Sequence, residues 1–541
     1  MVCRWPDTNF RWASTCTFRG ESGHMAQKRA LISVYDKSGL EELAASLSKR
    51  DWDIIASGGT SKAIAEAGIP VQSVEDLTGA DEMLDGRVKT LHPTIHAGIL
   101  ARRESGEHMK ELSEKGMSTL DLIAVNLYPF AATVASEPSR SELIENIDIG
   151  GVALIRAAAK NHDGVWILVD PEDYPKVLRS LDAEEDDAQL RRELAAKAFA
   201  ATAFYDAHIA AQLQLELGEH FPEFLTIPLK KVQDLRYGEN PHQPGAFYAA
   251  GATELGTSEL PGIEQLHGMD LSYINILDLQ SAWASANDLD DVAVSIIKHT
   301  IPCCLATHAT SQAQAYTRAR ETDPVSAFGG IVGFNRPVEA DTVAAMKGHM
   351  YHVVVAPDYE PDALRRLKRR KDLRIIRWHP ASSRPPMHFE TAHVWGIDRG
   401  YLVQAPDRSP HDEIPMRTVS IKQPTQADIT QMRFGLRAIR HIKSNAILLV
   451  RDNRLIGIGS GQVNRVNAVR HAVEQAGDLA NGAYLISDAF FPFADGPELA
   501  LEAGVRALVS VAGSVRDQEV IDTVNQQERI LSFIDERHFK H

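Results

Sequence analysis

Two short segments near the start of the chain place hydroxyls, backbone amides and a lysine where a phosphate could be held. Ser33-Val34-Tyr35-Asp36-Lys37-Ser38 and Ser57-Gly58-Gly59-Thr60 each follow an apolar run and precede a helical pattern. N–H groups at a helix start, joined by Ser and Thr hydroxyls, bind anions. Neither segment fits G-x-x-x-x-G-K-[ST], which excludes a nucleoside-triphosphate loop of that type. Read alone, each is more simply a helix cap. The stretch GRVKTLHPTIHAG gathers Arg87, Lys89, His92 and His96 among glycine and proline. Pro93 between the two histidines argues against a metal-binding helix, and no HExxH glutamate accompanies them. Asp148 precedes an apolar helix that carries Arg156 and Lys160 four residues apart, where cations usually snorkel to water. Lys298-His299 ends the apolar run AVSII and runs into Pro302. Such a pair offers a cation and a group that titrates near neutrality, although most histidines are structural.

Other candidates fail on spacing. Cys303-Cys304 is not the P-C-x-x-C of zinc deaminases, and the H-x-E triplets, His388-Phe389-Glu390 among them, follow it in the wrong order. Gly457-Ile458-Gly459-Ser460-Gly461 lacks G-x-G-x-x-G spacing. The basic run Arg365 to Arg374 looks like an RNA patch, but the chain has a net charge of -16. A solvated helix face is the better reading, and no nucleic-acid partner is expected.

The elements that would position these groups alternate. RALISV, DWDIIASGG, VQSV, TLDLIAVNLYPF and GVWILVD read as strands or strand ends. SGLEELAASLSKR, with Ser38 as N-cap, TSKAIAEAG and IDIGGVALIRAAAKNH read as helices between them. That alternation predicts a mostly parallel sheet with ligands at the strand carboxyl ends. A helical stretch over about 182–217 closes this domain, and turn-rich TIPLKKVQDLRYGENPHQPG opens a second architecture. There, AVSIIKH, GGIVGF and YHVVVAP alternate with helices. A further unit begins near Gln423 with a helix and the hairpin AILLVRDNRLIGIG. At 541 residues the chain exceeds one core, so the expected division is a disordered extension over 1–24 and domains over 25–222 and 223–541. Four cysteines without metal spacing point to a reducing compartment. No apolar run is long enough to span a bilayer, and the N-terminal residues lack the apolar core of a signal peptide.

Taken in order, these stretches resemble one family. ISVYDKSGL, ASGGTSKAI, EMLDGRVKTLHPTIHAGILARR, NLYPF, IDIGGVALIRAAAKNH, LRYGENPHQ, DPVSAFGGIV, IKSNAI, GIGSGQVNRV, SDAFFPF and RDQEVI, spread from about Lys28 to His541, are similar to the bifunctional purine enzymes. Those enzymes carry phosphoribosylaminoimidazolecarboxamide (AICAR) formyltransferase and IMP cyclohydrolase. The resemblance implies an α/β fold: a methylglyoxal-synthase-like parallel-sheet domain, then a larger transferase domain built of cytidine-deaminase-like units without zinc. It implies 10-formyltetrahydrofolate as formyl donor, no metal requirement, a cytoplasmic homodimer, and transferase sites at the subunit interface.

Carried over by position, the resemblance gives Ser33, Lys37, Ser57, Gly59 and Thr60 to the nucleotide phosphate and ribose of the first site. Arg87, Lys89, Thr90, Asn126, Tyr128, Asp148, Gly150, Gly151 and Lys160 would surround the base. Lys89 and Lys160 suit an oxyanion; Asp148 and Tyr128 suit proton handling. In the second site Arg236 and Tyr237 would bind the ribonucleotide, with Asn275, Asp323, Phe328, Gly329, Phe491 and Arg537 shaping the pocket. His299 would take the proton, Lys298 would face the leaving folate nitrogen, and Asn445 would position the reactants. Five positions depart from the pattern. The segment usually K-H-x-N-P-C-G is Lys298-His299-Thr300-Ile301-Pro302-Cys303-Cys304. Ile301 cannot hydrogen-bond, and Cys304 replaces a glycine expected to need positive φ. Gly435-Leu436 stands for Ala-Trp, and Asn467 for aspartate. These departures leave a second reading: a cyclohydrolase whose transferase domain is impaired or only a scaffold.

Overall fold

A computed structural model of the chain describes residues 27–136, 138–183, 187–219, 221–250, 262–379, 393–407 and 414–541. The extension expected over 1–24 lies outside the described residues. The chain divides into two compact units, Met1–Ile209 and Ala210–His541, and the division falls within the helix Ala188–Glu216.

In the first unit five strands form one parallel sheet, β1 (Arg29–Val34), β2 (Asp53–Ala56), β3 (Gln72–Ser73), β4 (Leu122–Asn126) and β5 (Trp166–Leu168), in the order β3-β2-β1-β4-β5. β4 and β5 are buried along their whole length, as strands covered on both faces must be. Leu31, Ile55, Ile123 and Ile167 meet Leu43, Ile64, Leu154 and Ile155 of the flanking helices in the core. The chain winds outward from β1 to β3 and then returns to β4 on the other side. The switch point between β1 and β4 is where such sheets open a crevice.

Two local expectations differ from what forms. The first helix, Leu40–Ser48, starts after Gly39 at φ 68 and not at Ser38, because only glycine adopts that backbone cheaply. Pro93 does not break a helix; it occupies the first turn of Pro93–Leu100, where its missing N–H costs nothing.

The second unit holds a twelve-stranded mixed sheet. From one edge it runs Arg417–Thr418, Ile530–Ile534, Ala507–Val511, Tyr484–Ser487, Ile447–Arg451, Arg454–Gly459, Ile301–His308, Val292–Lys298, Gly330–Phe334, Tyr351–Ala356, Arg374–Trp378 and Ile263–His267. The region expected as a further unit from Gln423 onward belongs to this same sheet. Its two halves are ladder-paired through Ala306 and Arg454. A separate ribbon pairs Leu229–Leu235 with Gly245–Ala250.

One buried polar cluster ties the C-terminal half together. Asp428, from the helix Gln426–Ile439, accepts hydrogen bonds from Tyr484 Oη at 2.7 Å and Arg506 Nε at 2.6 Å, besides the Thr425 cap. Burial alone would push its carboxyl up; Arg506, Tyr484 and Thr425 outweigh that and hold it well below the usual carboxylate range. The same site pushes the Tyr484 hydroxyl up to about 12, through burial and the neighbouring carboxylate. Asp428→Ala is expected to cost about 2–3 kcal/mol at neutral pH, since it strands a buried hydroxyl and a guanidinium. A carboxyl with a depressed native pKa adds stability above its unfolded value of about 4 and loses it as pH falls through the native one. Urea midpoints of wild type and variant should therefore differ at neutral pH and converge on acidification. A gap that widens in acid would contradict the assignment.

Candidate active sites

In the first unit the crevice between β1 and β4 is shaped by one side chain. The carbonyl oxygen of buried Asn126 accepts the N–H groups of Tyr35 (2.6 Å) and Asp36 (2.9 Å), and its amide donates to the Asp36 carbonyl (3.1 Å). Asn126 thus fixes the loop that carries Lys37. Buried Thr60 does the same on the other side, bonding both the N–H and the carbonyl of Val34 at 3.1 Å. Ser57 stands at the start of the helix Gly58–Glu66, yet its hydroxyl does not cap that helix; it pairs with Ser33 Oγ at 2.9 Å. The two segments are therefore more than caps, and they converge.

Glycines make the room. A Cβ on Gly58 would lie 3.6 Å from Lys89 Nζ, and one on Gly59 would lie 3.9 Å from Lys37 Nζ. A Cβ on Gly150 would fall 2.8 Å from Thr90 Oγ1, and on Gly151 2.6 Å from Asp148 Oδ2. The segment Lys89-Thr90 thus bridges the glycine-led starts of two helices, Gly58–Glu66 and Gly150–Lys160. Lys89 is held at 2.9 Å by both Glu75 and Glu82. Its burial would depress the ammonium, but the two carboxylates prevail and keep it firmly protonated. Asp148 accepts the Gly151 N–H at 2.7 Å. Burial pushes its carboxyl up, and hydrogen bonds from the Gly151 and Tyr128 amides recover only part of the shift. The rings of Tyr35 and Tyr128 meet edge-on at 5.5 Å, both exposed, as a wall.

Some candidates stand apart. Arg87 pairs with Glu145 in the open. Lys160 is exposed at the far end of its helix, about 15 Å along the axis from Gly150. His92 Nδ1 caps the helix Pro93–Leu100 through Thr94 N–H at 3.2 Å. Sequence reasoning missed Glu75, Glu82 and Tyr205. The Tyr205 hydroxyl, pushed up to about 12 by burial, bridges Asp148 N–H (2.7 Å) and the Asn146 carbonyl (3.2 Å). Its place in a long helix gave no sign of this. Among the described residues no cluster of three or more His, Cys, Asp or Glu is placed to hold a metal, and no helix is long and apolar enough to cross a membrane.

In the second unit strand direction gathers the candidates. The antiparallel and parallel pairings place the end of Val292–Lys298 and the starts of Ile301–His308, Gly330–Phe334 and Ile447–Arg451 on one sheet edge, with the ends of Tyr484–Ser487 and Ile530–Ile534. Lys298-His299, Phe328-Gly329, Asn445, Asp488 and Arg537 all belong to loops on that rim. Lys298 Nζ donates to the Phe328 carbonyl at 2.9 Å and lies 3.5 Å from a Cβ on Gly329, whose φ is 68. Asn445 donates to the Gln462 carbonyl at 2.9 Å and accepts from Arg465 at 2.8 Å. Buried Arg465 in turn pairs with fully buried Asp488, a network that sequence reasoning passed over although both residues lie in the quoted motifs. Asn445 and Lys298 are three strand steps apart, about 14 Å.

The remaining candidates support or stand aside. Asn275 forms a capping box with Ser272 at the start of the helix Tyr273–Asn287. Asp323 caps the turn before Phe328 through Ser326 N–H at 2.8 Å. Phe491 is buried in the core and not on the rim surface. The Arg537 guanidinium lies over Phe539, and Arg236 lies over its neighbour Tyr237 in the loop that joins the two strands of the separate ribbon. Of the basic run, Arg365 and Arg366 pair with Asp362, while Arg370 bonds the His349 and Met346 carbonyls. The run is thus partly structural and not simply a solvated face.

The departures take a different form from the one expected. Cys304 lies fully buried in the strand Ile301–His308 and has no positive φ. The positive values belong to His299 (φ 55) and Thr300 (φ 64), the two residues of the turn between paired Lys298 and Ile301. That backbone costs a non-glycine residue about 1–2 kcal/mol. Ile301 packs on the core instead of missing a polar partner. A side chain at Gly435 would lie 2.2 Å from Ile486 Cγ1, so Ile486 fills the space. Asn467 N–H bonds the cap residue Asn464 at 2.9 Å.

Comparison with known proteins agrees with these features. Residues 158–475 match the family model described as AICARFT/IMPCHase bienzyme, and residues 39–153 match that of the MGS-like domain. The bifunctional purine biosynthesis protein PurH of Desulfitobacterium hafniense is 47% identical over 524 residues, covering 95% of this chain and 100% of that protein. The proteins of the same description from Oceanobacillus iheyensis and Clostridium botulinum strain Hall are each 44% identical over 515 residues, with the same coverage. A solved structure, the crystal structure of ForH, is 35% identical and covers 34% of this chain and 95% of that one at a TM-score of 0.31. With an MGS-like domain followed by a larger mixed α/β domain, this chain belongs to the family of bifunctional AICAR formyltransferase/IMP cyclohydrolases, which perform the last two steps of IMP synthesis.

Proposed function

We propose that the cyclohydrolase activity resides in residues 25–222 and the transferase in 223–541, each at the sheet edge described above. Transfer implies a folate donor, and 10-formyltetrahydrofolate is the one proposed. The 5-amino nitrogen of AICAR attacks the formyl carbon, its proton passes to His299 and from there to the folate nitrogen, and the C–N bond to that nitrogen breaks with Lys298 beside the leaving atom. Asn445 and Arg465 orient the acceptor. No metal takes part in this scheme.

In the first unit the carboxamide nitrogen attacks the formyl carbon of the product, and the adduct loses water. An amide is a weak nucleophile, so orientation and oxyanion stabilisation carry most of the rate. The bridge made by Lys89-Thr90 between two glycine-led helix starts is the observation that supports this reading most. N–H groups, Ser33, Ser57 and Lys37 suit the phosphate and ribose; Lys89 suits the oxyanion; Asp148 and Tyr128 suit the proton. Lys89 is proposed for the oxyanion ahead of Lys160, because it lies beside the glycine-led helix start at Gly58 while Lys160 sits at the far end of its own helix.

The protein is proposed to act in the cytoplasm as a homodimer, with transfer sites completed across the interface. Support comes from the three strand steps between Lys298 and Asn445, a separation too wide for one small substrate to touch both reacting groups with ease, and from the exposed apolar ribbon His393–Ile397 with Gly400–Gln404.

Two single variants should separate the activities. Lys89→Ala should slow cyclisation of supplied formylated nucleotide about 100-fold or more and leave transfer intact. His299→Ala should slow transfer roughly 100- to 10,000-fold and leave cyclisation intact. Equal loss of both activities in either variant would contradict separate sites. A mixture of His299→Ala and Asn445→Ala chains, dissociated and reassociated, should regain up to about a quarter of wild-type transfer if each site draws on both copies. No recovery in demonstrated mixed dimers would place both residues in one protomer's site.

A further inference from the structure

We propose that Asp278 is a positioning residue of formyl transfer, holding the His299-Thr300 turn in its reactive shape through the Thr300 amide; the proposal rests on the reading of Lys298-His299 as the transfer site. A two-residue reversal with positive φ at both positions prefers sequences such as Asn-Gly. Here it is built from histidine and a β-branched threonine, so the local sequence does not favour the shape it takes. Something outside the turn must hold it.

The helix Tyr273–Asn287 provides that hold. Its start is fixed by the reciprocal Ser272–Asn275 capping box, and Leu279 and Ala282 bury its inner face against the sheet. Asp278 stands on that helix, buried, with Oδ1 at 2.6 Å from Thr300 N. Thr300 Oγ1 closes back on the His299 carbonyl at 2.7 Å, which further stiffens the turn. Burial pushes the Asp278 carboxyl up, and the Thr300 amide with the charges of His299 and Lys298 pulls it back. A carboxylate is expensive to bury, and this one faces the two residues assigned to the chemistry. Its removal would free the turn to relax toward a backbone that histidine and threonine prefer, displacing the imidazole while leaving the binding loops of the rim untouched.

The experiment uses the full-length protein and follows transfer and cyclisation separately. Asp278→Ala is expected to lower kcat for transfer about 10- to 100-fold, the scale of a misplacement of about 1 Å. KM for nucleotide and folate should change little and cyclisation should not change. Asp278→Asn keeps an acceptor oxygen and should stay within a few-fold of wild type. The decisive arm is Asp278→Ala combined with Thr300→Gly: glycine takes positive φ without help, so transfer should recover by at least several-fold. An unchanged kcat in Asp278→Ala, or no recovery in the double variant, overturns the proposal. If Asp278→Ala does not fold, Asp278→Asn decides alone, and a 10-fold loss there also overturns it. His299→Ala is run alongside. Should it transfer normally, the site assignment fails; should it be inactive while Asp278→Ala is normal, only the role of Asp278 fails.

Discussion

Asn126 accepts the amide hydrogens of Tyr35 and Asp36 and returns its own to the Asp36 carbonyl. The loop after the first strand takes its shape from those three bonds. Asp278 does the equivalent for the turn at His299-Thr300, and Asp488 for the segment at Asn445-Ala446, whose Ala446 amide it accepts at 3.0 Å. In each case a buried polar side chain bonds backbone groups of a loop proposed to carry the chemistry. An unpaired buried donor or acceptor costs about 1–3 kcal/mol, so neither partner can leave without loss. This constraint converts irregular loops into fixed platforms at the sheet edges, beside the lysines, hydroxyls and imidazole proposed to meet the substrate.

The two units reach that result by different routes. The first relies on parallel strands and on helix starts cleared by Gly58, Gly59, Gly150 and Gly151, so that N–H groups and small side chains approach one another closely. The second relies on antiparallel reversals: pairing alone delivers Lys298, Gly329 and Asn445 to a single edge. Its polar groups are then fixed by charge, with Arg465 and Asp488 buried together behind Asn445.

Much of this was legible in the sequence. Short apolar runs separated by glycine and serine placed the parallel sheet of the first unit, and the family motifs drew attention to Lys89, Asp148, Lys298, His299 and Asn445. What escaped was tertiary. Nothing local marks Tyr205, within a long helix, as the bridge between Asp148 and Asn146, or Glu75 and Glu82 as the partners of Lys89. Cys304 was expected to carry the strained backbone, but a β-bulge between Pro302 and Cys304 keeps it in the ladder, and the positive φ falls at the turn instead. The Gly435-Leu436 departure was legible, but its counterpart Ile486, 51 positions away in the chain, was not. Compensation across a core follows contact in space, which spacing along the sequence does not reveal.

The central claim is that one chain performs both reactions in sequence despite its departures around Lys298-His299. The direct measurement supplies purified protein with AICAR and 10-formyltetrahydrofolate and follows tetrahydrofolate release and IMP formation in the same reaction. Equal molar amounts of both products are expected, with IMP trailing folate release by no more than a short lag. Cyclisation of supplied formylated nucleotide without any release of tetrahydrofolate from AICAR would contradict the account and leave the second unit a scaffold.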